Sequence, residues 1–314
     1  MATMDLRVRT RDLVGKYGLL ISFTLMCMLL MLASDRFLTP ENITNVLRIS
    51  AINAIIAVGM TFVILTAGID LSVGAIAALA AVVAASVVHR GGSVAAAWAT
   101  CLLIGVLLGS ANGALTILLR IPPFITTLGM MTIARGLALT FTQGRPITGL
   151  AVDFRYPGAG FLGPLPMPIV VAAVVFALGY VILTRTTLGE YVRAMGNNPV
   201  AARLAGISTN RVTVLVYAMS GLLSALAGLV LIGRLDSAAP TIGVGYEFDA
   251  IAAVVVGGTS FSGGTGGLGG TLLGVLIIGV LNNGLNLLNV SALWEQVVKG
   301  VVITVALLIY KSAR

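Results

Sequence analysis

Long apolar runs follow one another along this chain with only short interruptions, and that pattern constrains the fold more than any other feature of the sequence. The runs occupy residues 17–33, 49–67, 73–88, 94–119, 124–141 and 168–183, then 212–232, 248–258, 268–288 and 293–310. A helix that crosses a bilayer needs about 20 mostly apolar residues. Ten crossing segments are therefore expected, of which the eighth, 248–258, is too short to cross unaided. Composition agrees: charged residues make up 10% and hydrophobic residues 58% of the 314 positions, whereas a soluble domain carries about 25% charged residues. The expectation is an all-α integral membrane protein, one transmembrane domain over 1–314, with no sizeable water-soluble domain.

The formal net charge of +8 does not point to nucleic acid, because the basic residues are scattered between apolar runs and form no dense stripe. Topology accounts for them. Arg7, Arg9, Arg11 and Lys16 precede the first run in the charge order of a signal peptide, but the run is too long for one and Leu32-Ala33-Ser34 is a poor cleavage site, so an uncleaved first span is expected. With the N-terminus inside, ten spans return the C-terminus to the cytoplasm. Eleven of the 19 Lys and Arg residues then fall inside, six outside, and Arg135 and Lys299 within spans, which is the bias of cytoplasmic loops toward positive charge. Cys27 and Cys101 lie in separate apolar runs without metal or redox spacing and read as filler.

An internal echo points to a repeat. LLGSANGALTI from Leu107 matches IIGVLNNGLNL from Ile277 at Gly109/Gly279, Asn112/Asn282 and Leu115/Leu285, a constant offset of 170. The copies fall in the fourth and ninth spans, which run in opposite directions, so the halves are expected to form an inverted repeat.

The longest interior loop, 185–211, lies between the sixth and seventh spans. Within it Asn198 is a helix N-cap, Pro199 the first helical residue, and Gly206 a left-handed stop. The result is a short self-capped helix, which suits either a piece that docks into a soluble partner or an ordinary loop helix. The segment GNNPVAARLAGI from Gly196 resembles the coupling helix of the ribose-type permease family of ABC importers. TAGIDLSVG from Thr66, IPPFITTLGMM from Ile121, GYEFDAIAAVVVGGTSFSGG from Gly245 and LNNGLNLLNV from Leu281 are similar to other segments of that family. The resemblance runs from the second span to the last.

That resemblance implies a multi-pass permease of the bacterial inner membrane, embedded in lipid. It implies pairing with a second permease chain (as a homo- or heterodimer), two ATP-binding cassette ATPase subunits and a periplasmic sugar-binding protein. ATP and Mg would sit on the ATPase, and no cofactor on this chain. The cargo would be a monosaccharide such as a ribose-like pentose or a hexose, or a sugar-like signalling molecule. Coupling to the ATPase falls on Glu190, Arg193, Gly196, Asn198, Pro199, Arg203 and Gly206. The residues agree insofar as the sequence has no G-x-x-x-x-G-K-[ST] phosphate loop, and GGTGGLGGT from Gly263 has glycine where the lysine belongs. Rival readings are an ion-coupled secondary sugar transporter, an intramembrane enzyme, and an ABC permease for branched-chain amino acids.

Polar side chains inside spans are functional candidates because their burial is costly. Asp70 and Ser72 either cap the third helix or contact cargo. Arg135 needs a helix carbonyl end or a carboxylate. Glu295 and Lys299, four residues apart, form a helical ion pair. Glu247 and Asp249 either cap the eighth segment or belong to the docking face for the binding protein. Asn282, Asn286 and Asn289 share one helical face, with Asn112 joined to them by the repeat. Amides there suit sugar hydroxyls or interhelical hydrogen bonds. One histidine, His89, and the lack of a nucleophile–base set leave an enzyme little to work with.

Overall fold

The computed structural model describes the backbone of residues 2–291 and of 294, 297, 298, 300 and 301, with side chains from residue 18 onward. The expected run 293–310 falls almost wholly outside them, as do Glu295, Lys299 and the C-terminus.

Twelve helices occupy the described residues: α1 Ala2–Ala33, α2 Pro40–Leu65, α3 Val73–His89, α4 Val94–Leu119, α5 Pro123–Thr142, α6 Val152–Ala159, α7 Met167–Arg185, α8 Thr187–Asn197, α9 Pro199–Leu204, α10 Thr209–Leu235, α11 Tyr246–Val256 and α12 Leu268–Leu287. Six of them (α2, α4, α5, α7, α10 and α12) are long and apolar enough to cross a membrane. Local chemistry sets several starts. Thr39 caps α2 by accepting from the Asn42 amide ahead of Pro40, and Ser93 caps α4 by accepting from Ala96. The four strands are two-residue pairings: Ile147–Thr148 with Ser237–Ala238, and Phe161–Leu162 with Leu165–Pro166. The sequence signalled neither α6 nor α8.

The centre of the molecule is α2 and α10, whose lengths are mostly buried, and α4 lies against α10 through a ladder of glycines. A Cβ on Gly113 would stand 2.8 Å from the Val214 Cα, and one on Gly109 would stand 3.1 Å from the Gly221 Cα. Gly105 faces Gly221 and Ala225 in the same row. Small residues at every fourth position let two backbones approach, the means by which helices associate in lipid. Large apolar side chains cover the outward faces of α4, α5 and α7, including Leu103, Leu107, Ile133, Leu137, Leu178 and Val181, as expected of surfaces that meet acyl chains.

Two helices start inside the bundle and not at one of its ends. At 1.5 Å per residue, the 11-residue α11 spans about 16 Å, roughly half of a ~30 Å hydrocarbon core. It starts where α3 starts: Gly74, in the first turn of α3, packs on the Gly243 carbonyl and beside Glu247. That meeting point lies near mid-length of α10, because Asp70 bonds Ser220, and from there Ala77 of α3 goes on to meet Gly228 further along α10. Following α11 leads the other way, since the Gly264 amide beyond it donates to the carbonyl of Leu65, the last residue of α2 (2.9 Å). The two short helices therefore start together at mid-depth and run apart. Non-helical segments, 66–72 and 236–245, lead into them.

Candidate functional site

Irregular backbone at membrane depth survives only when its polar groups are satisfied by protein, and α5 does this for both segments. On 66–72, the Thr127 hydroxyl accepts from the Leu71 amide (3.1 Å) and donates to the Ile69 carbonyl (3.2 Å), which also receives the Tyr217 hydroxyl of α10 (3.3 Å). On 236–245, the Arg135 guanidinium donates to the carbonyls of Pro240 (2.6 Å) and Ile242 (2.8 Å), and its charge acts on Glu247. The sequence left Arg135 a choice between carbonyls and a carboxylate; it has loop carbonyls and a carboxylate nearby.

Asp70 is fully buried and holds the start of α3. Its Oδ1 accepts from the Ser72 amide (3.0 Å) and the Ser72 hydroxyl (2.6 Å), and its Oδ2 accepts from the Ser220 hydroxyl (2.8 Å). Asn112 of α4 donates its amide to the Ser72 hydroxyl at 2.8 Å. Asp70 and Ser72, selected together in the sequence, and Asn112, selected through the repeat, thus form one network; Ser220, Tyr217 and Thr127 were missed. A single hydroxyl in a buried helix interrupts no periodicity, although Ser220 stands at the same 170 offset from Ser50 as Asn282 does from Asn112.

Glu247 and Asp249 depart from one of the expected alternatives. Both are buried, 6% and 4% exposed, so neither presents a docking face to a soluble protein. Glu247 accepts from the Gly245 amide at 3.2 Å in the first turn of α11, and Asp249 accepts from Asn53 of α2 at 3.4 Å. The descent of 236–245 into the protein carries them inward, which the hydropathy boundaries did not reveal.

The asparagines of α12 separate. Asn283 exchanges two amide hydrogen bonds with Asn42 of α2 (2.8 and 3.0 Å), an interhelical clamp. Asn282 is half-buried with its Oδ1 shielded and unpartnered, and the exposed Asn286 donates back to the Asn282 carbonyl at 2.9 Å. Asn289 does not share their helical face: α12 ends at Leu287, and Asn289 sits beyond it with a left-handed φ of 55°.

At the Leu65 end of the molecule the 185–211 segment folds into α8 and α9. The Asn198 Oδ1 accepts from the Val200 and Ala201 amides (3.1 and 3.0 Å), Pro199 opens α9, and Gly206, at φ 86°, closes it while the Ile207 amide returns to the Ala202 carbonyl. Val200 and Leu204 stand out at 67% and 85% exposure. Glu190 is exposed on α8, and the exposed Arg203 reaches Thr209 (3.4 Å). Arg193 and Gly196 point inward: Arg193 donates to the Gly266 carbonyl at 3.0 Å, and Gly196 lies flush against the Leu65 carbonyl and Gly264.

Membrane-crossing helices that enclose two half-helices meeting at mid-depth, over buried polar side chains, make this a transport protein of the multi-pass kind. Residues 42–307 match the family described as branched-chain amino acid transport system / permease component. The chain is 47% identical to the ribose import permease protein of Haemophilus influenzae over 95% of its length and 93% of that protein's. It is 46% identical to the ribose import permease protein of Bacillus subtilis (98% and 97%) and 45% identical to that of Escherichia coli (92% of each). The chain belongs to this permease family, as a ribose-type member, and is a multi-pass inner-membrane protein. No solved structure matches it.

Proposed function

We propose that this chain is the membrane-spanning permease subunit of an ATP-binding cassette importer that carries a monosaccharide, a ribose-like pentose or a hexose, across the bacterial inner membrane. One observation carries the reading: identity of 47% to a ribose import permease extends over 95% of this chain. Nucleotide hydrolysis, with ATP and Mg, belongs to separate ATPase subunits, a periplasmic protein supplies the sugar, and the pathway forms between two permease chains.

In this reading the chain crosses ten times with both ends cytoplasmic, its halves related by an inverted repeat. The offset of 170 that relates Asn112 to Asn282 also relates Ser50 to Ser220, and it brings α2, α3 and α4 close to α10, α11 and α12. Gly109 of α4 against Tyr217 of α10 and Gly279 of α12 against Ser50 of α2 put a glycine at the same offset into corresponding helix pairs, which supports the same symmetry. Asp70, Ser72 and Asn112 fix the start of α3, while Asn282 and Asn286 offer amides to sugar hydroxyls, contacts weak enough to let cargo leave.

Coupling runs through 185–211. Val200 and Leu204 on α9 enter a groove of the ATPase, with Asn198, Pro199 and Gly206 holding the helix rigid and Glu190 and Arg203 flanking it. Arg193 and Gly196 pass the movement to Leu65, at the foot of 66–72, and to 257–267, at the foot of α11. The test is uptake of labelled ribose, and of other pentoses and hexoses, by cells lacking their own transporter. Accumulation is expected only when this chain, its ATPase and its binding protein are produced together, and is lost when the ATPase phosphate-loop lysine is replaced. Accumulation by this chain alone would make it a secondary transporter.

A further inference from the structure

Beside the foot of α10 lies a cavity of about 720 Å³ lined by Thr116, Leu118, Arg120, Arg203, Ser208 and Asn210, among others. It sits between the end of α4 and the junction of α9 with α10. No Asp or Glu lines it. The only ion pair among the described residues joins Arg155 to Asp236, so neither Arg120 nor Arg203 is neutralised there. Three further features favour an anion. Ser208 forms no side-chain cap, and while the Thr209 amide donates to the Ile207 carbonyl (2.9 Å), the next first-turn amides of α10 have no side-chain partner and carry the positive end of a long helix dipole. The Thr116 Oγ1 is shielded from solvent and has no hydrogen-bond partner. Arg120 takes a left-handed φ of 54° at the end of α4, a conformation cheaper for glycine, so the backbone strain there carries a guanidinium.

The location selects the anion. The cavity joins the ends of two apolar helices long enough to cross a bilayer, and Leu118, 75% exposed, stands on its lining. That is the level at which a phospholipid phosphate meets the protein with its acyl chains alongside, and basic pockets between membrane helices on the cytoplasmic side hold such headgroups.

We infer that Arg120, Arg203, Thr116 and the start of α10 form a binding site for the headgroup phosphate of an anionic phospholipid. Arg120 and Arg203 pair with the phosphate oxygens, the Thr116 hydroxyl, which has no partner to lose, turns to donate to one of them, and the first-turn amides of α10 beyond Thr209 complete the cradle. This inference stands apart from the identity of the cargo.

Native mass spectrometry of the purified, delipidated full-length chain tests it, with phosphatidylglycerol titrated against phosphatidylcholine. The wild type is expected to retain phosphatidylglycerol preferentially. Arg120→Gln should weaken that retention about fivefold, the effect of one arginine near an anionic headgroup, and Thr116→Val should weaken it less. Both variants should keep wild-type thermal unfolding in zwitterionic lipid, because Arg120 is exposed and the Thr116 hydroxyl bonds to nothing. Equal retention by wild type and Arg120→Gln overturns the site. Displacement of the lipid by millimolar inorganic phosphate would assign the cavity to free phosphate and overturn the headgroup reading. Unchanged lipid retention with weakened ATPase association would assign it to a carboxylate of that partner, and would equally overturn the proposal.

Discussion

At the scale of single residues, the buried Asp70 carboxylate decides most. It is the sole acceptor shown for the Ser72 amide and the Ser220 hydroxyl, and neither can reach water. A buried donor left without an acceptor costs about 1–3 kcal/mol. Asp70→Ala strands several donors together, so it is expected to lower stability by at least about 2 kcal/mol, read as a depressed unfolding temperature in detergent. Asp70→Asn keeps one oxygen acceptor and should fall between. Full stability in both variants combined with lost uptake would move Asp70 from anchoring α3 to touching cargo. The sequence marked Asp70 and Ser72 because polar groups beside apolar runs are conspicuous, and Asn112 because the repeat pairs it with Asn282. It did not mark Thr127 and Tyr217, because a threonine or tyrosine in a spanning helix is unremarkable until the backbone it serves is known to be irregular.

Among the elements, the apolar helices were legible, the short α3 and α11 included, and the irregular segments that lead into those two were not. The runs at 94–119, 124–141 and 168–183 became α4, α5 and α7 almost without adjustment, since hydropathy reads any segment whose outer face meets lipid. Residues 236–245 read as an ordinary outer loop, because small and polar residues look alike whether water or protein covers them; the burial of Glu247 and Asp249 was hidden with it. Helix packing gives an expected outcome of its own. Gly109→Leu, which places a branched side chain where the Tyr217 carbonyl and Gly221 already stand, should abolish a stable α4–α10 pair and sharply reduce the amount of folded protein in membranes. Gly136→Ala on α5, where nothing lies within 4 Å, should leave it unchanged. Comparable yields from both would show that the glycine ladder does not hold the pair together.

Considered as a whole, the molecule ties the exposed apolar face of α9 to the segments 66–72 and 257–267 through a single joint. The Gly264 amide bonds the Leu65 carbonyl, Gly196 seats against both residues, and Arg193 holds Gly266, so α8 cannot shift without moving the feet of 66–72 and of 257–267. This arrangement separates docking from transmission. Val200→Asp with Leu204→Asp puts charge on the surface proposed to meet the ATPase, and is expected to prevent co-purification of that subunit. Gly196→Ala leaves α9 untouched but drives a methyl group into the Leu65 carbonyl, so the ATPase should still co-purify while sugar uptake falls by about tenfold or more, within the range spanned by a coupling free energy of ~1–3 kcal/mol. ATP hydrolysis measured in proteoliposomes should then persist without responding to the loaded binding protein. If Gly196→Ala instead loses the ATPase along with uptake, α8 belongs to the docking surface; if it transports normally, the stroke reaches the half-helices by another route.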